Sequence, residues 1–351
     1  MCTTGLYYVY HSGQSSSQCH LPGHPAGVVT APLRLGLLST AKINQLVISG
    51  VPETVEIVAV ASRDGARAGA YARQWGIAHS HGSYEALLAD PEVEAVYISL
   101  PNGLHHEWTM SALAAGKHVL CEKPYSRRSA EVEEAWAAAA AHGLVVAEAL
   151  MYRHHPQIFR AKALLDAGEI GHLRLIRSSF SVRLTDVGDI RMLRELDGGA
   201  LMDLGCYCVH GSRVLGGEPE CVFGEQVLAG SGVDLGFHGT LRFPGDVVAQ
   251  FDASFSLPSW QRLEAVGEEG TLLLDAPWRP DWGFTLSIAR EAEFEEVDVP
   301  QADSYRLELD DFAAAVRGER EPLLGRSDAF GQARTIEALY LSAESRAAVM
   351  L

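Results

Sequence analysis

Short apolar runs alternate with helix-forming segments between residues 33 and 150. This alternation predicts strand and helix in turn, which is typical of a parallel sheet. Runs such as "VEIVAVA" are apolar throughout, as expected where helices cover both faces of the sheet. The pattern predicts strands at 33–38, 55–61, 77–80, 93–100, 117–121 and 144–147, and helices at 41–49, 65–75, 84–88, 105–115 and 130–141.

The pattern changes after His155. A helix at 156–167 leads into "HLRLIRSSFSV", in which apolar residues partly alternate with basic or hydroxylated ones. A further helix is predicted around 200–215, and β runs separated by Gly, Pro and Asp fill 222–299. This succession predicts a mostly antiparallel sheet with one covered face, hence an α+β region. Helices at 304–317 and 328–347 end the chain.

The size and charge of the chain exclude several classes of protein. With 351 residues it exceeds the usual size of one hydrophobic core, so two domains are expected. The formal charge of −17, from 28 basic and 45 acidic residues, argues against a nucleic-acid partner. No apolar run approaches the roughly 20 residues that span a bilayer, so a membrane protein is not expected.

The first 31 residues are interpreted as a disordered leader, or as an upstream misreading of the start codon, because they lack the basic start, apolar middle and cleavage site of a secretory signal. Six cysteines form no CxxC pair, which predicts reduced thiols and a cytoplasmic protein. The Cys and His residues of the leader are irregularly spaced, and no HExxH motif occurs. No metal site is therefore predicted.

The first predicted strand runs into "LGLLSTAKIN", the turn that would hold a dinucleotide pyrophosphate. The GxGxxG fingerprint would require glycine at Ser39, Ala41 and Asn44, and none is present. Ser39 and Ala41 are nevertheless small, and Ser39 and Thr40 offer hydroxyl donors. From this segment alone, a nucleotide site and a ligand-free turn are equally good interpretations.

The end of the second strand, "VASRD", bears on which dinucleotide would bind. NAD enzymes place an acid at this position for the ribose 2′-hydroxyl, whereas a 2′-phosphate needs cations and hydroxyls. This chain has Ser62 and Arg63 there, and Arg67 one helical turn later. The pattern favours NADP, although Asp64 could still contact a ribose and leaves NAD possible.

Four ordered motifs carry a family resemblance: "PNGLHHEW", "GKHVLCEKP", "EALMYRHHP" at 148–156 and "DGGALMDLGCYCVH" at 197–210. Together they resemble the glucose-fructose oxidoreductase and inositol dehydrogenase (Gfo/Idh/MocA) family over residues 33–350. The resemblance implies an α/β protein with a Rossmann-type domain at 32–150. It also implies an α+β domain at 151–351 whose large, open sheet serves the substrate and the interface of a homodimer or higher homo-oligomer.

The resemblance also implies the site. Lys123 of the EKP motif would lie beside the nicotinamide and the substrate hydroxyl, with Tyr207 and Asp203 as catalytic partners. Many members carry His at the position of Tyr207, and a tyrosine is similar to the branch of dimeric dihydrodiol dehydrogenase and D-xylose 1-dehydrogenase. The residues expected to contact the cofactor are Ser39, Thr40, Ala41, Ile43, Ser62, Arg63, Arg67, Leu100, Pro101, Asn102, His105, Glu122, Lys123 and Arg153.

Substrate contacts are expected from Asp203 and Tyr207, and from an irregular stretch that contains Arg183, with Asp186, Asp189 and Arg191 as further candidates.

The residue types fit hydride chemistry without the resemblance. Oxidising an alcohol by hydride transfer requires removal of its hydroxyl proton. A phenol with a pKa of about 10 is a weak base at neutral pH, and a neighbouring ammonium lowers that pKa. We therefore expect Lys123 to lower the pKa of Tyr207, although Lys123 itself remains a candidate for the proton transfer.

The predicted function is NADP-dependent oxidation of a sugar or cyclic polyol. The reaction would be oxidation of an aldopyranose at C1 to a lactone, or oxidation of a trans-dihydrodiol. Two alternatives stay open: a non-catalytic NAD(P)-binding regulator, and an NAD-dependent glycoside hydrolase of the same family.

Overall fold

The computed structural model describes residues 31–186, 188–291 and 293–351. The predicted leader lies outside the described residues, except for Ala31. Residues 32–351 form one compact unit. A division into domains at residue 150 stays a prediction, although it falls between the two sheets of this unit. In the described part of the chain, no helix is both long and apolar enough to cross a membrane.

The first sheet has six strands, all parallel, in the order β3-β2-β1-β4-β5-β6. This is the strand order of dinucleotide-binding sheets. Its strands are β1 Leu33–Leu37, β2 Val55–Ala61, β3 His79–His81, β4 Ala95–Ile98, β5 His118–Glu122 and β6 Val146–Ala149. The helices between them are α1 Asn44–Ser49, α2 Gly65–Trp75, α3 Tyr84–Leu88, α4 His105–Ala114 and α5 Ser129–His142.

The register of this sheet corrects several predicted boundaries. The strand predicted at 117–121 begins and ends one residue later, because Glu122 pairs with Ala149 of β6. Lys123 is therefore the first residue beyond the sheet. The strand predicted at 93–100 is shorter, since residues beyond Ile98 turn away from β5. The helix predicted from residue 41 begins at Asn44, because the residues before it form a turn.

The second sheet has nine strands in the order β14-β13-β12-β11-β7-β10-β9-β8-β15. Only the β7–β10 pair is parallel, so the predicted mostly antiparallel sheet is confirmed. Its strands are β7 Leu173–Ser181, β8 Cys221–Leu228, β9 Asp234–Arg242, β10 Val248–Ser254, β11 Trp260–Gly267, β12 Thr271–Leu274, β13 Leu286–Arg290, β14 Glu293–Glu296 and β15 Val349–Met350.

Helices cover one face of the second sheet. These are α7 Cys206–Gly216 and α9 Arg326–Ser345, and α6 Pro156–Asp166 packs on α7. Helix α8 Ser304–Val316 packs instead on α1 and on β2 of the first sheet. Helix α7 packs on β7 and α9 on β8, and both contribute to a common apolar core. On the other face, large apolar side chains such as Phe223, Val227 and Trp260 are exposed. The helix predicted at 200–215 begins instead with one wide π-helical turn, Leu201–Gly205.

Candidate active site

A cleft of about 700 Å³ opens at the carboxyl ends of β4, β5 and β6. Ligands of parallel sheets bind at this edge, because each strand is followed there by a loop and the N-terminus of a helix. Segments from the second sheet and from α7 and α8 form the opposite wall. Lys123, Asp203 and Tyr207 all line the cleft, although 80 residues separate the first two in sequence.

Lys123 follows the last residue of β5, and its peptide bond to Pro124 is cis. Its Nζ donates to the Asp203 carbonyl oxygen at 2.8 Å and to Asp203 Oδ1 at 3.0 Å. Burial of the amine is the largest influence and opposes its charge, but the surrounding negative groups, Asp203 first and Glu122 among them, together outweigh burial and raise the pKa of Lys123. The side chain is therefore an ammonium ion at neutral pH.

Asp203 lies between two cations in the wide turn that precedes α7. Its Oδ2 lies 3.3 Å from Arg191 Nη1, while Arg191 also makes a two-pronged contact with Asp189. Burial opposes ionisation of Asp203, but Lys123 and Arg191 together lower its pKa. Wide helical turns are frequent at functional sites, and this one presents both the carbonyl and the carboxylate of Asp203 to Lys123.

The surroundings of Tyr207 correct one expectation. Burial, followed by the negative charge of Glu122, raises the pKa of Tyr207 well above its ordinary value instead of lowering it. The Lys123 ammonium lies 4.9 Å from the centroid of the Tyr207 ring and hydrogen-bonds Asp203, not the phenol oxygen. The Tyr207 hydroxyl faces Met151 Sδ at 3.8 Å. Both Lys123 and Tyr207 are thus protonated in this arrangement.

Side-chain hydrogen bonds stabilise the turn after β1, which lacks the glycines of the GxGxxG fingerprint. Ser39 Oγ accepts from the Ala41 amide at 3.1 Å, and Asn44 Nδ2 donates to the Ser39 carbonyl at 2.8 Å. None of the residues 38–44 has a positive φ, so this turn does not need the conformational freedom of glycine. Ala41, Lys42 and Ile43 line the cleft.

The ends of β1 and β2 provide a set of donors suited to an adenosine 2′-phosphate. Arg67 Nε donates to Thr40 Oγ1 at 2.8 Å, which brings the guanidinium to the turn after β1. The Asp64 carboxylate accepts from the amides of Ala66 and Arg67 and so caps α2. Both capping hydrogen bonds use Asp64 Oδ1, and the other groups predicted for this edge are cations and hydroxyls, which suit a phosphate. The residues present therefore fit NADP.

The structure brings most of the predicted residues together and leaves three aside. Ser39, Thr40, Ser62, Arg63 and Arg67 lie at the ends of β1 and β2. The predicted residues that line the cleft are Ala41, Ile43, Leu100, Pro101, Asn102, His105, Glu122, Lys123, Asp203 and Tyr207.

Two of the three exceptions are arginines, and the third is Asp186. Arg153 does not line the cleft, and its guanidinium lies 5.9 Å from the Phe159 ring centroid. Arg183 and Asp186 are exposed and outside the cleft, whereas the nearby Asp189 and Arg191 line it. The short segment after β6 directs the Arg153 side chain towards α6. The order of the motifs in the sequence does not reveal this direction.

Sequence reasoning missed an aromatic and basic wall. Arg279, Trp282 and Tyr305 line the cleft, and the Arg279 guanidinium lies 5.2 Å from the centroid of the Trp282 ring. These residues come from the loop after β12 and from α8, far along the chain from the recognised motifs. Their sequence neighbourhoods contain no motif, so only the fold reveals them.

Tyr207 rests on a buried layer that includes His210, a residue for which the sequence indicated no role. The Tyr152 hydroxyl lies 2.6 Å from His210 Nδ1, and His210 Nε2 lies 2.9 Å from Asp328 Oδ2. The Tyr152 ring packs against Tyr207 with centroids 5.8 Å apart. These polar contacts fix the position of the Tyr152 ring, which packs against Tyr207.

Two buried side chains hold the segment that carries Lys123. The ring nitrogens of His105 lie 3.0 Å from the Pro124 carbonyl oxygen and 2.8 Å from that of Leu100. Glu148 Oε1 accepts from the Tyr125 amide at 2.9 Å. His105 therefore supports the site from behind, in addition to lining the cleft.

The substitution Glu148→Gln should remove a pH dependence of stability. Burial raises the pKa of Glu148 from 4.5 to about 8. Between these values the folded protein keeps the carboxyl protonated while the unfolded chain ionises it. The free energy of unfolding therefore falls as pH rises, by up to about 1.4 kcal/mol per unit.

Urea unfolding of both proteins at several pH values tests this prediction. Below about pH 4.5 the carboxyl is protonated in both states, and above about pH 8 it is ionised in both, so the slope is confined to that window. The wild-type chain should lose more stability across the window than the variant. Equal losses would show that Glu148 is not the group responsible.

Comparison with known proteins decides the family. Residues 35–150 match the model of the oxidoreductase family with an NAD-binding Rossmann fold, and residues 158–273 match the Gfo/Idh/MocA C-terminal domain. D-xylose 1-dehydrogenase (NADP(+)) 2 of Haloferax volcanii is 38% identical over 325 residues, which cover 91% of this chain and 100% of that protein. This chain belongs to the Gfo/Idh/MocA family. The family and the fold class predicted from the sequence are confirmed.

Other Gfo/Idh/MocA relatives have related chemistry. Trans-1,2-dihydrobenzene-1,2-diol dehydrogenase of Oryctolagus cuniculus is 40% identical over 232 residues, covering 64% of this chain and 69% of that protein. The crystal structure of KijD10, a 3-ketoreductase from Actinomadura kijaniata in complex with NADP and TDP-benzene, superposes with a TM-score of 0.84. It is 30% identical and covers 89% of this chain and 98% of its own.

Proposed function

We propose that this protein is an NADP-dependent dehydrogenase that oxidises a hydroxyl group of a sugar or cyclic polyol. The reaction is oxidation of an aldopyranose at C1 to the lactone, or oxidation of a trans-dihydrodiol. The observation that carries the proposal is the Lys123 ammonium, which is paired with Asp203 and lies against the Tyr207 ring at the carboxyl edge of the parallel sheet. Its relatives among sugar and dihydrodiol dehydrogenases support the substrate class.

When bound, NADP supplies the hydride acceptor or donor. The residues of the chain transfer the proton of the substrate oxygen and stabilise the charge that develops on it. The Lys123 ammonium is positioned to hydrogen-bond that oxygen as it gains alkoxide character. The Tyr207 hydroxyl exchanges the proton, and Asp203 keeps Lys123 charged and oriented.

The raised pKa of Tyr207 bears on the direction of the reaction. For carbonyl reduction, both groups already carry the protons that they donate. For alcohol oxidation, Tyr207 must first lose its proton. Movement of the ammonium from Asp203 towards the phenol oxygen would lower the pKa of Tyr207 and make it a base.

A substrate panel tests the proposal. Purified protein is mixed with NADP+ or with NAD+ and with aldoses, inositols or trans-dihydrodiols, and formation of the reduced nicotinamide is followed by its absorbance. Turnover of at least one class with NADP+ is expected. If the cofactor binds but no compound reacts, a non-catalytic regulator is favoured. Release of free sugar from glycosides without net cofactor reduction would favour the hydrolase.

The combined substitution Arg63→Ala and Arg67→Ala should weaken NADP+ selectively. A charge-assisted hydrogen bond is worth about 1.5–3 kcal/mol, so KM for NADP+ should rise about 10- to 100-fold. KM for NAD+, which lacks the 2′-phosphate, should change little. Arg73→Ala, in the last turn of the same helix, is the matched control. Parallel losses for both cofactors would place the 2′-phosphate elsewhere.

The open face of the second sheet is the proposed interface of a homodimer or higher homo-oligomer. Exposed side chains on β8, β11 and β14 include Phe223, Val227, Trp260 and Phe294. Exposed aromatic side chains on a sheet face are suited to an interface between subunits. Light scattering coupled to size-exclusion chromatography measures the oligomeric state.

A cytoplasmic location fits the free thiols of Cys121, Cys206, Cys208 and Cys221 in the described residues.

A further inference from the structure

Two histidines and an aspartate converge at the outer edge of the first sheet. His79 and His81 lie two residues apart on β3, so their side chains share one face of the strand. Asp90 follows α3, and its Oδ2 lies 2.9 Å from His79 Nδ1 and 3.0 Å from His81 Nε2. The three atoms all lie within 4.8 Å of one another. None of the three residues lines the cleft that contains Lys123.

The surroundings of Asp90 fix its orientation. Asp90 Oδ1 accepts from the Glu92 amide at 2.8 Å, which leaves Oδ2 directed at the histidines. Lys117 Nζ donates to the carbonyl oxygens of Asp90 and Val93 at 2.9 and 2.7 Å and holds the backbone of this turn. Metal-binding carboxylates are commonly oriented by such secondary hydrogen bonds.

The Asp90 side chain is buried, and its Oδ2 is the carboxylate oxygen that faces both histidines. The His79 side chain is 42% exposed, so a metal ion and a bound water molecule could reach the site from solvent.

We propose that His79, His81 and Asp90 bind a divalent transition-metal ion, with zinc as the best fit. Ligand atoms of a tetrahedral zinc ion lie about 3.3 Å apart, which follows from metal–ligand distances near 2.0 Å. The two short distances at Asp90 would need to open by only a few tenths of an ångström. Two imidazoles with one carboxylate suit zinc, whereas magnesium and calcium prefer oxygen ligands alone.

Such an ion would stabilise the edge of the first sheet, where the strand pairing is short. Strand β3 has three residues and lies at the sheet edge, where only β2 pairs with it. The ion would connect β3 to the turn between α3 and β4. The His81 carbonyl accepts from the Ser62 amide at 3.1 Å, so the same ion would steady the end of β2. We expect zinc to raise the melting temperature, because it binds only the folded chain at this site.

Zinc stoichiometry tests the proposal on the full-length protein. Chelator-treated protein is titrated with Zn2+ and, separately, with Mg2+ in a calorimeter. The leader also contains Cys and His residues, so the difference between proteins is the informative quantity. Wild-type protein should bind one more equivalent of Zn2+ than His79→Gln/His81→Gln, with a dissociation constant of about 1 µM or lower. Mg2+ should give no saturable binding.

His142→Gln, at an exposed position on α5, is the control and should keep the wild-type stoichiometry. If the double variant does not fold by circular dichroism, the half-exposed position is tested alone as His79→Gln, which should weaken zinc at least tenfold. The proposal is overturned if either folded variant binds as many equivalents as wild type with equal affinity. In that case the three side chains form only a hydrogen-bonded cluster.

Discussion

Replacing Lys123 with methionine should lower kcat/KM for the oxidised sugar or diol by about 10²- to 10³-fold, the loss typical of removing one donor from a developing oxyanion. Methionine keeps most of the length and apolar volume of the side chain but removes the ammonium. The dissociation constant of NADP+ should change much less, because the proposed phosphate contacts lie at the ends of β1 and β2. Steady-state kinetics and a fluorescence titration with NADP+ measure the two quantities separately.

The matched control is Lys162→Met. Lys162 lies on α6 and forms a surface ion pair with Asp166, outside the cleft. Its replacement should leave both quantities unchanged. If Lys123→Met loses NADP+ affinity as strongly as it loses activity, Lys123 serves mainly in binding. If it keeps full activity, the assignment of Lys123 to the reacting oxygen is wrong.

Replacing Tyr207 with phenylalanine should lower kcat by about 10²- to 10⁴-fold, the range measured for general acid–base groups. Its hydroxyl contacts only Met151 Sδ among the described residues, so the substitution removes the proton donor without breaking a strong hydrogen bond. The ring contacts with Tyr152, Phe180 and Trp278 persist, and KM and the melting temperature should therefore change little.

Tyr84→Phe is the control for the loss of a phenol. The Tyr84 ring packs on Trp108 at a centroid distance of 4.9 Å and does not line the cleft. Its replacement should keep wild-type kcat. Retention of activity in Tyr207→Phe would transfer the proton step to Lys123, the alternative that the sequence left open.

The sequence was most informative where local pattern and burial coincide. Strand–helix alternation located all six strands of the parallel sheet within a few residues, because five of them are short, largely buried apolar runs, and only the edge strand β3 is polar. It failed at the turn after β1, where the helix begins at Asn44 and not at residue 41. There, hydrogen bonds made by the Ser39 and Asn44 side chains stabilise a turn that contains no glycine. A search for the glycine fingerprint does not detect such a turn.

The candidate site shows a similar limit. Motif order predicted that Lys123, Asp203 and Tyr207 belong together, and the structure brings them into one cleft. The predicted direction of the Tyr207 pKa shift was wrong, because burial and then the charge of Glu122 raise that pKa, while the Lys123 ammonium hydrogen-bonds Asp203 and not the phenol oxygen. Trp282 and Arg279 were missed because they enter the cleft from a loop of the second sheet.

The metal site proposed at β3 had a weak signal in the sequence. The His-x-His pattern at 79–81 puts two imidazoles on one strand face, but the third ligand, Asp90, follows only after an intervening helix. Whether Asp90 folds back onto β3 depends on the length and packing of α3. Those are properties of the fold and not of the pattern.

Transfer of deuterium tests the central claim most directly. An aldopyranose that the protein oxidises is prepared with deuterium at C1 and incubated with NADP+, and the reduced cofactor is analysed by mass spectrometry. We expect one deuterium in the nicotinamide with wild-type protein, and formation of this product about 100-fold or more slowly with Lys123→Met or Tyr207→Phe. Sugar conversion without deuterium in the cofactor would contradict direct hydride transfer at this cleft.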